Sequence, residues 1–158
     1  MVDVTELKAV ARAPREFTES PSFLAKRVGM ISKEKTIAAF EEAGAAPFAY
    51  GVLAMLAQGA CATQATIADT LRYDRSYLVG LLDELEGSGL IERRRDEHDR
   101  RRHVVSLTKA GRKELERLRS VVEGVDDALL EPLNASERKT LQALLLKLAG
   151  AHDERYLP

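Results

Sequence analysis

The chain has 158 residues and a formal net charge of −1, with 45% apolar and 31% charged residues, 5% aromatics and no tryptophan. That is one domain's worth of sequence with a sizeable, mainly aliphatic core, and it excludes a disordered chain. No run approaches the ~18 to 20 apolar residues that cross a bilayer, and the start MVDVTELK lacks the basic and apolar regions of a secretory signal, so a cytoplasmic protein with no membrane partner is expected.

Met1 to Glu19 show no clean periodicity, and Pro14 interrupts them; a loosely held arm is expected. Ser22 to Glu42 read as a helix, with Leu24, Val28 and Ile31 on one stripe and Ile37 and Phe40 further along, ended by Gly44 and Pro47. Phe48 to Gln58 read as a second, apolar helix carrying Val52, Leu53, Met55 and Leu56, broken by Gly59. The single Cys61 excludes an intrachain disulfide, and among Gly59, Ala60 and Ala62 it fits a small packing residue better than a reactive thiol. Thr63 can cap a short third helix reaching Leu71, and the tight Arg72-Tyr73 turn then leads into a fourth.

In that fourth helix Leu78, Leu81, Leu82 and Leu85 fall at i, i+3, i+4 and i+7, one buried stripe, while Ser76, Gly80 and Asp83 project oppositely. Asp74 can accept from the free N–H groups of the first turn, and Gly87 and Gly89 close the other end. Leu90 to Arg95 and Arg102 to Leu107 fit two short strands, and the tract Arg95 to Arg102 holds four arginines, His98 and three carboxylates. Alone, such a tract is as well explained by a solvated charged turn. Beside a major-groove helix, it would lie over the neighbouring minor groove, where arginine is favoured. Arg72 to Lys113 carry eleven basic and eight acidic residues, +3, leaving −4 for the rest of the chain, so positive charge gathers on this segment.

Thr108 can cap a long helix from Lys109 to about Leu130, whose Leu115, Leu118, Val122, Val125 and Leu129 repeat at intervals of 3, 4, 3 and 4, a seam for a neighbouring helix. After Pro132, Asn134 with Glu137 fits a capping box for a last helix carrying Leu141, Leu144, Leu145 and Leu148. These helices either complete one chain's core or pack against a second copy. No phosphate-cradling loop, nucleophile elbow or paired metal-ligand motif appears, so neither an enzyme nor a cofactor or metal site is expected; His98 and His103 lie beside the arginines of the tract between the two strands, where phosphate or solvent suits them better than a metal.

The run DELEGSGLIERRRDEHDRRRHVVSLTKAG resembles the signature of the MarR family of bacterial transcriptional regulators, through its leucine–glutamate pair, the glycine before Leu90-Ile91, Asp99-Arg100-Arg101 at the wing tip, and Leu107-Thr108 leading to Ala110-Gly111. Thr63-Gln64-Ala65 and Ile67-Ala68 resemble the family's preceding helix, so the likeness runs strongly from Pro47 to Gly111. It implies a mainly α fold with a small β-hairpin wing, a single domain over residues 1–158 in which 46–107 form the winged helix-turn-helix and 20–45 and 108–150 the dimerisation helices. A homodimer binding double-stranded DNA at a palindromic operator, as a ligand-responsive repressor, is the implied function; a winged-helix module for protein interaction, without DNA binding, is the alternative.

Arg75, Ser76, Tyr77 and Gly80 are the candidate major-groove residues, with plain solvation of the helix the other role open to Ser76 and Gly80. The family often has a basic residue where this chain has Glu84, so contacts are expected only from the first two turns. In the family's manner Asp99 would orient Arg101 into the minor groove, with Arg100 competing for that role. The resemblance also implies a small aromatic or phenolic acid effector, for which Phe40 and Tyr50 are the candidate contacts, with ordinary core packing as their other role.

Overall fold

The structure, a computed structural model, describes residues 12–59, 62–95 and 103–156. In order come α1 (Arg15–Thr18), α2 (Pro21–Glu42), α3 (Ala49–Ala57), β1 (Ala62–Thr63), α4 (Gln64–Leu71), α5 (Arg75–Gly87), β2 (Ile91–Arg95), β3 (His103–Leu107), α6 (Lys109–Leu129), α7 (Ala135–His152) and a closing 3-10 turn, Glu154–Tyr156. The mainly α class with a small hairpin is the one expected. None of the described helices is long and apolar enough to cross a membrane. The chain divides into two units, one up to Lys35 and one from Thr36, with α2 running through both.

In the first unit, Phe17 stacks on Phe23 with ring centroids 4.6 Å apart. Both rings stay about half exposed, as do Leu24, Val28 and Met30. The expected stripe on this helix therefore buries nothing within the single chain up to residue 30.

The second unit holds the core. All four leucines of the α5 stripe are buried, together with Phe40 of α2, Val52, Leu53 and Leu56 of α3, Ile67 of α4, Ile91 and Val105 of the hairpin, and Leu115 and Leu118 of α6. Helix ends follow the local chemistry. Asp74 accepts from the Tyr77 N–H at 3.0 Å, Thr108 Oγ1 accepts from the Gly111 N–H at 3.0 Å, and Asn134 and Glu137 form the expected reciprocal box. Thr63 caps α4, but its reciprocal partner is Thr66 rather than a glutamate. Of the two glycines expected to stop α5, Gly89 takes the left-handed conformation (φ 69°), while Gly87 is the last helical residue.

The hairpin pairs β2 with β3 antiparallel from Ile91↔Leu107 to Arg95↔His103, with β2 starting one residue inside its expected boundary at Leu90 and the expected start of β3 at Arg102 outside the described residues. An unexpected third strand, β1, pairs with β3 (Ala62↔Val105), giving the order β1-β3-β2 and fixing the start of α4 to the wing. At the hairpin base, a Cβ added to Gly111 would lie 2.0 Å from the Leu90 oxygen and 2.7 Å from Leu107 Cδ1. That carbonyl also accepts from the Thr108 N–H at 3.1 Å, so it has little freedom to move. Gly111→Ala is expected to cost ~3 kcal/mol, lowering the melting temperature by roughly 6 to 12 °C; a thermal melt indistinguishable from wild type would contradict this contact.

The seam on α6 divides. Leu115, Leu118 and Val125 are buried, and Val122 and Leu129 are only partly covered. Helix α7 buries no residue at all, with Leu144, Leu145, Leu146 and Leu148 exposed at 55%, 49%, 47% and 59%. It is tied to the end of α6 by an ion pair between Arg138 and Asp127 at 2.7 Å. The possibility that this helix completes the core of one chain is thus not realised.

Candidate nucleic-acid interface

Because the leucine stripe turns one side of α5 inward, the other side is left to solvent, and Arg75, Ser76, Tyr77 and Gly80 are all exposed there on the first two turns. Arg75 reaches back to Asp69 of α4 at 3.5 Å, a surface pair that orients the guanidinium without burying it. A Cβ at Gly80 would meet nothing within 4 Å, so the backbone there is open to close approach. Glu84 lies on the same exposed side, one turn further on.

Tyr77 is less free than the sequence suggested. Its ring meets Phe48 edge-on at 5.3 Å, and Phe48 in turn meets Tyr73 edge-on at 5.2 Å. The Tyr73 hydroxyl donates to the Phe48 carbonyl at 3.4 Å, and it occupies the space that a Cβ on Gly51 would need, 2.6 Å away. This bracket fixes the turn before α5 to the start of α3. Burial, and then the facing Tyr77, push the Tyr73 phenol above its ordinary value; burial, and then Glu84, do the same for Tyr77. Both phenols keep their protons at neutral pH, so Tyr77, 44% exposed, offers an O–H donor to an acceptor such as a phosphate oxygen.

The wing is braced to α5 by Arg93. Its backbone N–H donates to Glu86 Oε1 at 3.0 Å, its guanidinium donates to Glu86 Oε2 from Nε at 2.8 Å, and a terminal nitrogen reaches Asp83 at 2.6 Å. The hydrogen bonds from Arg93 hold the Glu86 carboxyl below the ordinary glutamate range, and they raise Arg93 further. A carboxyl lowered on folding stabilises the fold above its unfolded pKa and loses that contribution only as the pH falls through the lowered value, so the brace is intact at neutral pH. In the sequence Arg93 stands out only as one charge of a basic segment. Next along β2, Arg94 pairs with Glu92 at 3.0 Å, and Arg95 is exposed. Asp99, Arg100 and Arg101 lie outside the described residues, as do His98 and Cys61.

Phe40 and Tyr50 are brought together, ring centroids 6.3 Å apart in an edge arrangement. Phe40 is buried in the core and Tyr50 is half-buried. Of the two, only Tyr50 presents surface to a solute in the single chain.

The geometry has clear counterparts among known proteins. The chain matches the MarR family model over residues 46–102. It is 37% identical over 95 residues to the HTH-type transcriptional regulator BilQ of Clostridium symbiosum, a match covering 60% of this chain and 65% of BilQ, just under two thirds of that protein's length. It is 32% identical over 133 residues to the putative transcriptional regulatory protein for the hcr operon of Thauera aromatica, covering 79% of this chain and 80% of that protein. Among solved structures, the transcriptional repressor CouR bound to a 23-mer DNA duplex superposes with a TM-score of 0.75 at 31% identity, covering 88% of this chain and 99% of CouR. A Mycobacterium tuberculosis MarR family protein in complex with p-aminosalicylic acid gives a TM-score of 0.70 at 25% identity, covering 82% and 98%. The curated relatives are named as transcriptional regulators, in agreement with the expectation that the chain is not an enzyme. By its family match, its relatives and its winged helix-turn-helix fold, the chain belongs to the MarR family of transcriptional regulators.

Proposed function

We propose that the chain is a DNA-binding regulator that grips a palindromic operator as a homodimer and releases it when a small aromatic or phenolic acid binds, acting as a repressor. The observation that carries the reading is the exposed start of α5, where Arg75, Ser76, Tyr77 and Gly80 stand clear of the core beside a hairpin braced to the same helix by Arg93. A helix so presented fits the major groove, and the wing that follows reaches the next minor groove, where Asp99 would set Arg101 or Arg100. Residues 46–107 are then the DNA-binding region, and 20–45 with 108–150 supply the dimer. The half-exposed apolar side chains of α2 and α7 support that division, since a single chain leaves them uncovered. The likeness to CouR, solved on a DNA duplex, supports DNA as partner over the protein-interaction alternative. Binding assays on duplexes selected from random sequence separate the two: a palindromic product bound by two chains carries the proposal, and selection of no duplex at all refutes it.

Effector binding draws on the relative solved with p-aminosalicylic acid and on Tyr50, whose half-buried phenol stands against the buried Phe40 ring and is the member of the pair open to a ring bearing a carboxylate. Such a ligand shifts DNA binding only by preferring a dimer whose recognition helices no longer sit ~34 Å apart, one DNA turn. A screen of benzoates, salicylates and related phenolics should find compounds that raise the melting temperature and weaken operator binding together. Compounds that raise the melting temperature and leave operator binding unchanged would remove the switch.

A further inference from the structure

Helix α7 ends in a clasp on the helix-turn-helix. Asp153, the residue closing α7, takes two hydrogen bonds from the Arg155 guanidinium, one from Nε at 2.7 Å and one from a terminal nitrogen, and it faces Arg72 at 3.7 Å. Held in this way, Arg155 turns its other terminal nitrogen to the last turn of α4, donating to the Asp69 carbonyl at 3.1 Å and to the Thr70 carbonyl. Those carbonyls belong to the orphan acceptors at a helix C-terminus, where a cation is also favoured by the helix dipole. The hydrogen bonds from Arg155 hold the Asp153 carboxyl at about 2, so it is ionised at neutral pH.

The residues gripped are those that turn α4 into α5. Arg72 sits in the left-handed conformation (φ 54°), with its N–H on the Ala68 carbonyl, and Tyr73 also donates to Ala68. Arg75, at the start of the recognition helix, pairs with Asp69. A clasp on Asp69, Thr70 and Arg72 therefore sets the angle at which α5 leaves the turn, and it does so from the end of a helix whose leucines face solvent in the single chain.

We propose that Arg155, held by Asp153, is a positioning residue for DNA recognition, fixing the turn of the helix-turn-helix from the end of α7 so that operator affinity depends on the C-terminal segment. The proposal rests on the DNA-binding reading above. The sign of one substitution separates it from simple electrostatics, because Asp153→Asn removes a negative charge near the DNA-facing turn. Charge alone would then tighten binding to a polyanion, whereas loss of positioning weakens it.

The probe is a duplex selected from random sequence by the wild-type protein, titrated with salt against full-length wild type, Asp153→Asn, Arg155→Ala and Arg155→Lys. Asp153→Asn and Arg155→Ala are expected to bind about three- to thirtyfold more weakly, with dimer mass and melting temperature unchanged and the same dependence on salt. Binding by Asp153→Asn that equals or exceeds wild type overturns the proposal. So does a salt slope smaller by ~1 for Arg155→Ala, which would mark a direct phosphate contact. Should Asp153→Asn fail to fold, Arg155→Lys carries the test, since it keeps the charge but loses the two-pronged grip on Asp153; its binding must fall at an unchanged slope, and unaltered binding overturns the proposal. Wild type that selects no duplex overturns the DNA-binding reading and the proposal together, whereas wild type that binds beside unaffected variants overturns the proposal alone.

Discussion

Replacing Arg100 and Arg101 by alanine is expected to weaken operator binding by ~1 to 3 kcal/mol for each half-site engaged. An arginine that enters the minor groove meets the groove's negative potential, and an aspartate two residues earlier can hold the guanidinium in place by a charge-assisted hydrogen bond, so less side-chain freedom is lost on binding. Asp99 stands at that spacing from Arg101. The base of the hairpin is anchored for such a role, since Arg93 ties β2 to Glu86 and Asp83 of α5 and β1 pairs with β3 from the other side. A wing anchored at both edges lets a tip contact contribute to the same binding event as α5. The single variants decide between the two arginines, and the larger loss marks the one in the groove. If both single variants and the double variant titrate like wild type across a salt series, the wing assignment is wrong.

Leu145→Asp with Leu148→Asp is expected to abolish the dimer at micromolar concentration and to reduce operator affinity by at least about a hundredfold, a loss of ~2.7 kcal/mol or more. Fully burying one leucine stabilises by roughly 1.5 to 3 kcal/mol. A two-fold interface repeats each change, so two substitutions remove four such side chains and leave four carboxylates facing apolar surface. The effect should fall on association rather than on folding, since both leucines are about half exposed in the single chain. Light scattering and far-UV circular dichroism on the same sample separate those outcomes: a folded monomer with weak DNA binding is expected, and a folded dimer with full affinity would place the interface elsewhere.

What could be read from the residues was local. The α5 stripe is a spacing of three and four, and the caps Asp74, Thr108 and Asn134 with Glu137 act within three residues of themselves; each has the role expected from the sequence. What could not be read spans the fold. Strand β1 is two residues long, too short for any periodicity, and exists because β3 offers it an edge. Glu86 and Arg93 both lie inside the stretch that resembles the family, but their seven-residue separation crosses a turn, so no helical or strand spacing joins them. The exposure of Tyr77 is legible from its place opposite the leucine stripe, but its contact with Phe48 links two helices and is not. Arg155 reaches back 85 residues to Thr70, from a tail with no periodicity of its own. Whether the last helix packs inside the chain is likewise not decided by its spacing, and in the structure its leucines stay exposed in the single chain.

The measurement that bears most directly on the central claim is a salt titration of the wild-type protein on a palindromic duplex obtained by selection, read together with the mass of the complex. Two chains per duplex are predicted, with the logarithm of affinity falling linearly as the logarithm of salt rises, at a slope of ~0.9 for each phosphate neutralised, and with affinity lost when one half-site is scrambled. Binding that ignores salt, engages one chain, or treats scrambled and palindromic duplexes alike would contradict a dimeric operator-binding regulator.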